Sequence, residues 1–135
     1  VGWDDKVVSS LPYPKEIPGF LNPNDLSPTA SNLGTHSFVS RALCEELDYL
    51  LPPYFESEFC DRWITNVSKN AGIYKFDEEL VIEHMHPIWG KSSSDGTYDY
   101  RKKRYRHWEL YLYFLLKFMM RSREVKKIKH LWKNL

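Results

Sequence analysis

Phe59, Trp63, Val67 and Ala71 fall at every fourth position of the stretch "FESEFCDRWITNVSKNAG", with Ile64 beside them. That spacing lines one face of an α-helix, and Gly72 directly after it supplies the stop. Upstream, Phe38, Leu43, Leu47 and Leu50 recur at helical spacing in "THSFVSRALCEELDYLL", behind Thr35 and Ser37 as candidate caps and ahead of Pro52 and Pro53, which end the helix. After Gly72 the period changes. "IYKF" and "ELVIEHMH" are short β-prone runs on either side of the acidic turn Asp77, Glu78, Glu79. From about Tyr100 to His130 the pattern is again helical, first basic, then aromatic and aliphatic, then basic.

Residues 1–34 carry Pro12, Pro14, Pro18, Pro23 and Pro28, which leave room for little regular structure. The pattern predicts a short helix near Trp3 to Leu11, a short edge strand in "GFLNPND", and a second short strand or extended run from Ala30 to Gly34. "GKSSSDG" reads as a polar loop. Together these elements predict an α/β class, α+β if the chain stands alone: a short mixed sheet, two amphipathic helices and a long C-terminal helix.

Composition narrows the function classes. A chain of 135 residues, 42% of them hydrophobic, is enough for one core. With 19 Lys+Arg against 18 Asp+Glu, the net charge of +1 produces no global field toward nucleic acid or an anionic membrane, so a basic partner site has to be local. The most apolar window, "LYLYFLLKFMM", is interrupted by Lys117 and falls short of the roughly 20 residues of a membrane span. Cys44 and Cys60 lack CxxC spacing and read as reduced core thiols of a cytoplasmic protein. The chain opens on "VGWDDKVVSSLP" with no initiator Met, as if in mid-fold, and is expected to be a fragment.

Three groups of residues carry candidate chemistry. On a strand, Leu80, Ile82, His84 and His86 share one face and Val81, Glu83 and Met85 the other. Two imidazoles one pleat apart at a strand end suit a divalent cation or an anionic group, although two histidines are an incomplete set for zinc, and a hydrogen-bonded His84 beside a turn residue His86 is the plainer reading. Glu56, Glu58 and Asp61 stand at the start of the clearest helix. They serve there as dipole-favoured caps, or one of them is a general base. The run Arg101 to Arg106, with Tyr100, Tyr105 and Trp108, is a phosphate or nucleic-acid contact or, more ordinarily, a solvated helix face. The stripe "WELYLYFLLKFM" reads as a packing or oligomer surface.

An acidic cluster opening an amphipathic helix, a glycine, a short strand, an acidic turn and an apolar strand ending in His occur here in that order. The order resembles the C-terminal half of inverting glycosyltransferases of the A-type nucleotide-sugar fold. More narrowly, "GWDDKVVSSL", "NDLSPTASNLGTHSFVSRAL", "DYLLPPYFESEFCDRWITNVSKNAGIYKFDEELVIEHMHP" and "GKSSSDGTY" look like stretches of phage-encoded, glycosyltransferase-like proteins. The likeness spans Val1 to Tyr98, with "VIEHMHP" and the following "GK" its most specific part.

The resemblance implies that residues 1–98 are the acceptor-side half of such a domain and residues 99–135 a basic and aromatic helical extension. In the family, the nucleotide-binding half and its Asp-rich metal motif precede the Gly-Trp-Asp segment, so Asp4 and Asp5 lie beyond that motif, and the chain alone is expected to be inactive. The resemblance further implies that Asp61, or else Glu58, takes the proton of an acceptor hydroxyl. The family's adjacent Glu-Asp pair is here Glu58-Phe59, with the next acid at Asp61. Trp63 would stack the acceptor, Lys91 would touch the donor phosphate, and His84 and His86 would hold a divalent metal, Mn or Mg. Residues Trp89 to Tyr98 would close as a lid. The implied partners are a nucleotide-sugar donor and a carbohydrate or protein acceptor, with a complementing N-terminal chain or a second copy covering an open sheet edge. The implied location is the cytoplasm, that of the host for a phage-encoded protein. The competing reading is a non-catalytic binding or oligomeric assembly module that uses Tyr111, Phe114, Leu115 and Phe118; nucleic-acid binding is weaker.

Overall fold

The computed structural model describes residues 2–11, 17–56, 58–94, 96, 99, 100 and 107–133, without the side chains of 107–109, 118–120, 132 and 133. The run Arg101 to Arg106, Tyr98 and the Phe118 and Trp108 side chains therefore lie outside the described residues.

Helix α1 (Trp3–Ser10) follows Gly2, whose φ of 78° puts the entry in the left-handed region, and Asp4 and Asp5 sit in its first turn. Strand β1 (Phe20–Asn24) is the middle of a three-stranded mixed sheet in the order β2-β1-β3. It pairs antiparallel with β2 (Phe38–Val39) and parallel with β3 (Tyr74–Val81). The predicted edge strand in "GFLNPND" is thus the central strand. Pro23 is tolerated there because β2 pairs only with Phe20 and Leu21, leaving Pro23 beyond its end, and because the register with β3 shifts at Pro23/Asn24. The shift accommodates the acidic turn: Asp77 Oδ1 accepts the N–H groups of Glu79 and Leu80, each at 3.1 Å. The two predicted runs around that turn are one irregular strand.

Phe20 and Leu21, adjacent on β1, point to opposite faces and enter different cores. Leu21 meets Val7 of α1 and Leu80 of β3. Phe20 joins the larger cluster with Leu43 and Leu47 of α2 (Arg41–Leu47), Trp63, Ile64 and Val67 of α3 (Cys60–Ala71), and Tyr113 and Ile128 of α4 (His107–Lys133). The class is mixed α/β, with helices packed against a small mixed three-stranded sheet. The helix that follows residue 99 shares the principal core with the segment before it.

Helix α3 stops where its sequence directs, and starts at Cys60, after Glu56, Glu58 and Phe59. Gly72, at φ 83°, donates to Lys69 and Ser68 carbonyls, and Ile73 N–H returns to Ser68 O at 3.0 Å. Helix α2 is shorter than its pattern. Phe38 and Val39 are drawn into the sheet, so Ser40 is the cap, its Oγ accepting from Leu43 N–H, and the helix closes at Asp48 in the left-handed region. Thr35 and Ser37 are not caps, and Leu50 stands 60% exposed past the helix end. The predicted strand from Ala30 to Gly34 is a series of turns, closed by Ala30, Asn32 and Leu33 N–H groups on Ser27 and Thr29 carbonyls. Gly34 has to be glycine: a Cβ there would meet Ser37 Oγ at 2.0 Å and the Phe20 ring at 2.9 Å.

A buried carboxyl group organises the larger core. Glu124 of α4, 6% exposed, accepts Tyr49 Oη at 2.7 Å, Tyr54 Oη at 3.0 Å and Trp63 Nε1 at 2.9 Å. Burial and the neighbouring Glu124 charge push the Tyr54 hydroxyl up to about 12, and Tyr49 moves in the same direction for the same causes. We expect Glu124→Ala to cost about 3 kcal/mol or more, because it strands three donors in the core. Urea denaturation would check this, and a loss under about 1 kcal/mol would show that the three donors find other partners.

Candidate functional site

The carboxyl ends of the parallel strands β1 and β3 lie side by side, and the chain beyond each stays in contact. Ile82 N–H donates to Asn24 O and His84 N–H to Asp25 O, both at 3.0 Å. Open sheets with parallel strands present ligand sites at this end, where the loops leave the scaffold. The regular strand stops at Val81, so His84 and His86 stand on the extended segment that follows it rather than on one strand face. A three-residue turn, His86 N–H to His84 O at 2.8 Å, then brings the two rings together. His86 caps the 3-10 turn Pro87–Trp89 by accepting Ile88 N–H at Nδ1, at 3.1 Å.

His84 is the hub of a ring cluster. Its centroid is 4.8 Å from His36, 5.1 Å from His86 and 5.3 Å from Trp89, each pair edge to face, and His86 and Trp89 are 5.2 Å apart. Its Nδ1 is buried and without a hydrogen-bond partner among the described residues. Desolvation, then the proximity of His36 and His86, hold the His84 pKa below its ordinary 6.5, against the opposing charges of Asp25 and Asp61. His84 is therefore neutral near pH 7 and acts as a hydrogen-bonding group rather than a cation.

His36 reaches the cluster because Asp25 holds its loop. Asp25, 1% exposed, accepts Ser27 N–H at 2.9 Å and the Thr35 hydroxyl. Burial works against its charge, but these hydrogen bonds outweigh it and keep the carboxyl below its ordinary pKa. Gly34 N–H, next to Thr35, donates to Thr65 Oγ1 of α3 at 3.1 Å. The loop carrying His36 is so tied to the strand on one side and to α3 on the other. Neither Asp25 nor His36 stands out in the sequence; the only hint is the turn-forming "NPND" before a run of Ser and Thr.

The acids of "FESEF" separate. Asp61 is in the first turn of α3, half-buried, with Arg62 N–H on its Oδ1 at 2.7 Å, and its charge is felt at His84. Glu56 and Glu58 precede the helix, whose start is Phe59 in the left-handed region without a side-chain cap. Trp63 corrects the expectation of a stacking platform: it is 0% exposed, with its indole N–H committed to Glu124, and no ligand reaches its ring. Lys91, half-buried, pairs its Nζ with Glu83 Oε1 at 2.8 Å. Trp89, the expected start of a lid, packs on His84 and His86.

The residues present do not compose a metal centre on their own. Among the described residues no group of three or more His, Cys, Asp or Glu side chains is arranged to hold an ion. His84 and His86 meet edge to face, at 88°, with one nitrogen of His86 already engaged. Cys44 and Cys60 are half-buried and form no disulfide among the described residues.

Set beside known proteins, the chain matches no family model, no curated protein and no solved structure.

Because the folded pKa of His84 lies below its ordinary 6.5, protonation favours the unfolded chain. Its contribution to stability is whole above about pH 6.5 and is lost as the pH falls through the folded value. We expect the melting temperature to fall between about pH 7.5 and 5, and to fall less in His84→Gln. Parallel profiles for the two proteins would assign the acid sensitivity elsewhere.

Proposed function

We propose that this chain is the acceptor-side part of a metal-dependent, inverting nucleotide-sugar transferase of the A-type fold, with the nucleotide-binding half and its Asp-rich motif supplied from outside these residues. The observation that carries the reading is the imidazole cluster at the carboxyl ends of parallel strands: His84, on the path out of β3, gathers His36, His86 and Trp89, while Asp61 stands in the first turn of α3. The resemblance of "VIEHMHP" and its flanks supports the same assignment.

In this reading Asp61 accepts the proton of an acceptor hydroxyl. The oxygen so freed attacks C1 of the donor sugar on the face opposite the diphosphate, the C1–O bond to phosphate breaks, and its electron pair leaves with the nucleoside diphosphate. His84, a neutral donor near pH 7, hydrogen-bonds the departing phosphate oxygen. Asp61 is favoured over Glu58 because it is fixed in the first helical turn while Glu58 lies before it. Among the described residues His84 and His86 alone do not complete a ligand set, so a divalent ion would take its remaining ligands from the nucleotide-binding half.

Calorimetric titration with UDP-glucose, UDP-galactose and UDP-N-acetylglucosamine, with and without Mn²⁺, tests this. We expect binding that weakens about tenfold or more in His84→Ala, the worth of a hydrogen bond to a charged phosphate, and that survives Asp61→Asn. Heat that His84→Ala leaves unchanged would remove His84 from the donor site, and no heat with any of the three nucleotides would leave this chain an acceptor-side half without donor contacts or an assembly module.

A second reading rests on its own observation. Tyr111, Phe114 and Leu115 of α4 are 67%, 53% and 50% exposed, an apolar strip on a helix whose other face is in the core. A non-catalytic module that assembles through this strip would lose self-association in Phe114→Ser with Leu115→Ser. Sedimentation velocity reads that outcome, and a monomeric wild type would remove the case for it. Among the described residues no helix is long and apolar enough to cross a membrane.

A further inference from the structure

With Trp63 sealed in the core, the acceptor side needs another surface, and the fold offers one beside the histidine cluster. A groove of about 590 Å³ is lined by Trp3, His36, Ser37, Phe38, Val81 and Ile82. That volume is in the range of small-ligand sites. Trp3, at the start of α1, is 58% exposed, and its indole stacks on Phe38 at 6.0 Å with an interplanar angle of 28°. An indole on a helix of this kind would ordinarily turn inward, as Val7 does on the same helix. Here it lies over the end of the sheet and leaves a flat apolar face open, with Val81, 51% exposed, beside it.

Polar groups stand at one end of the groove. Ser37 Oγ donates to Gly34 O at 2.9 Å and keeps its acceptor lone pairs, and the half-buried His36 ring touches His84 at 4.8 Å. The groove therefore runs from an aromatic floor to the imidazole cluster. A pyranose has the complementary anatomy: one face of C–H groups that packs on an aromatic ring, and a rim of hydroxyls that need hydrogen-bonding partners. A hydrocarbon ligand would leave His36 and Ser37 facing apolar surface without partners, at a cost.

We propose that this groove binds a saccharide ring, with Trp3 and Phe38 as its platform and His36 and Ser37 as its polar contacts, and that it is the acceptor subsite of the transferase described above. The assignment of the occupant as acceptor rests on that reading; the binding of a sugar ring does not. Trp3 is exposed and contributes to neither hydrophobic cluster, so its replacement leaves the fold standing.

The test titrates the isotopically labelled chain with methyl β-glucoside, methyl β-galactoside and methyl N-acetyl-β-glucosaminide, following the amide signals of His36, Ser37 and Val81 by NMR. Trp3→Ala and Trp3→Phe are run beside the wild type, and UDP-glucose is titrated in parallel against wild type and His84→Ala. We expect at least one glycoside to shift these signals, with affinity reduced about fivefold or more in Trp3→Ala and kept by Trp3→Phe. That result upholds the sugar site whether or not the nucleotide binds, and if the nucleotide does not, it is the place of His84 in a donor site that falls. No shift with any of the three glycosides, or shifts that Trp3→Ala leaves unchanged, would overturn the inference even where His84-dependent nucleotide binding leaves the transferase reading intact.

Discussion

A carboxyl group taken out of water must be met by donors, and Glu124 obtains three of them from two other parts of the chain. Tyr49 and Tyr54 come from the connection between α2 and α3, and Trp63 from the first turn of α3 itself. Meeting that demand sets where α4 lies against the rest and which way α3 is turned. Once the Trp63 indole faces Glu124, Val67 and Ala71 follow it into the core by helical periodicity, and Asp61 is left on the half-buried margin at the helix start. The position of the candidate base is thus a consequence of a polar contact in the core.

The sheet imposes a second, smaller constraint of the same kind. Asn22 and Asp25 are buried polar residues on or just after the central strand, and each pins a loop: Asn22 Nδ2 donates to Ala30 O and to the Tyr74 hydroxyl, and Asp25 accepts Ser27 and Thr35. Residues 25–37 contain little apolar material, so these contacts hold them in place of a hydrophobic core. The outcome is that His36, remote in sequence from His84, becomes its nearest ring neighbour on that side. The groove floored by Trp3 and Phe38 depends on the same loop, because His36 and Ser37 form its polar end.

How far the sequence could be read depended on whether local pattern or tertiary demand decided each residue. The body and the C-terminal end of helix α3 are legible, since a four-residue spacing and a terminal glycine leave no competing structure, but its start is not: Phe59 shares the spacing and yet is the left-handed residue before the first turn. Helix α2 was read too long because Phe38 has helical spacing to Leu43 yet is taken as a partner by β1. The centrality of β1 was hidden by Pro23, which in sequence argues for an edge and is in fact accommodated by a short neighbour and a shifted register. The pairing of His84 with His86 was visible from their spacing. The turn that joins them was not, since it depends on the strand ending three residues earlier.

Sequence alone determined the mixed α/β class, the body and C-terminal end of α3, the helical C-terminal segment and the closeness of two imidazoles near the end of the last strand, because each follows from periodicity or from a residue with one strong local preference. Tertiary structure decided the uses of particular side chains. Trp63 was read as a surface platform and became a core donor to Glu124; Lys91 was read as a phosphate contact and became the partner of Glu83; Trp3, Asp25 and His36 acquired their places only through contacts with distant residues. A side chain's period tells which way it leaves the backbone. What it meets there is set by segments arriving from elsewhere in the chain, and for the polar residues of this protein those encounters, rather than propensity, settle which are spent on the fold and which remain for a ligand.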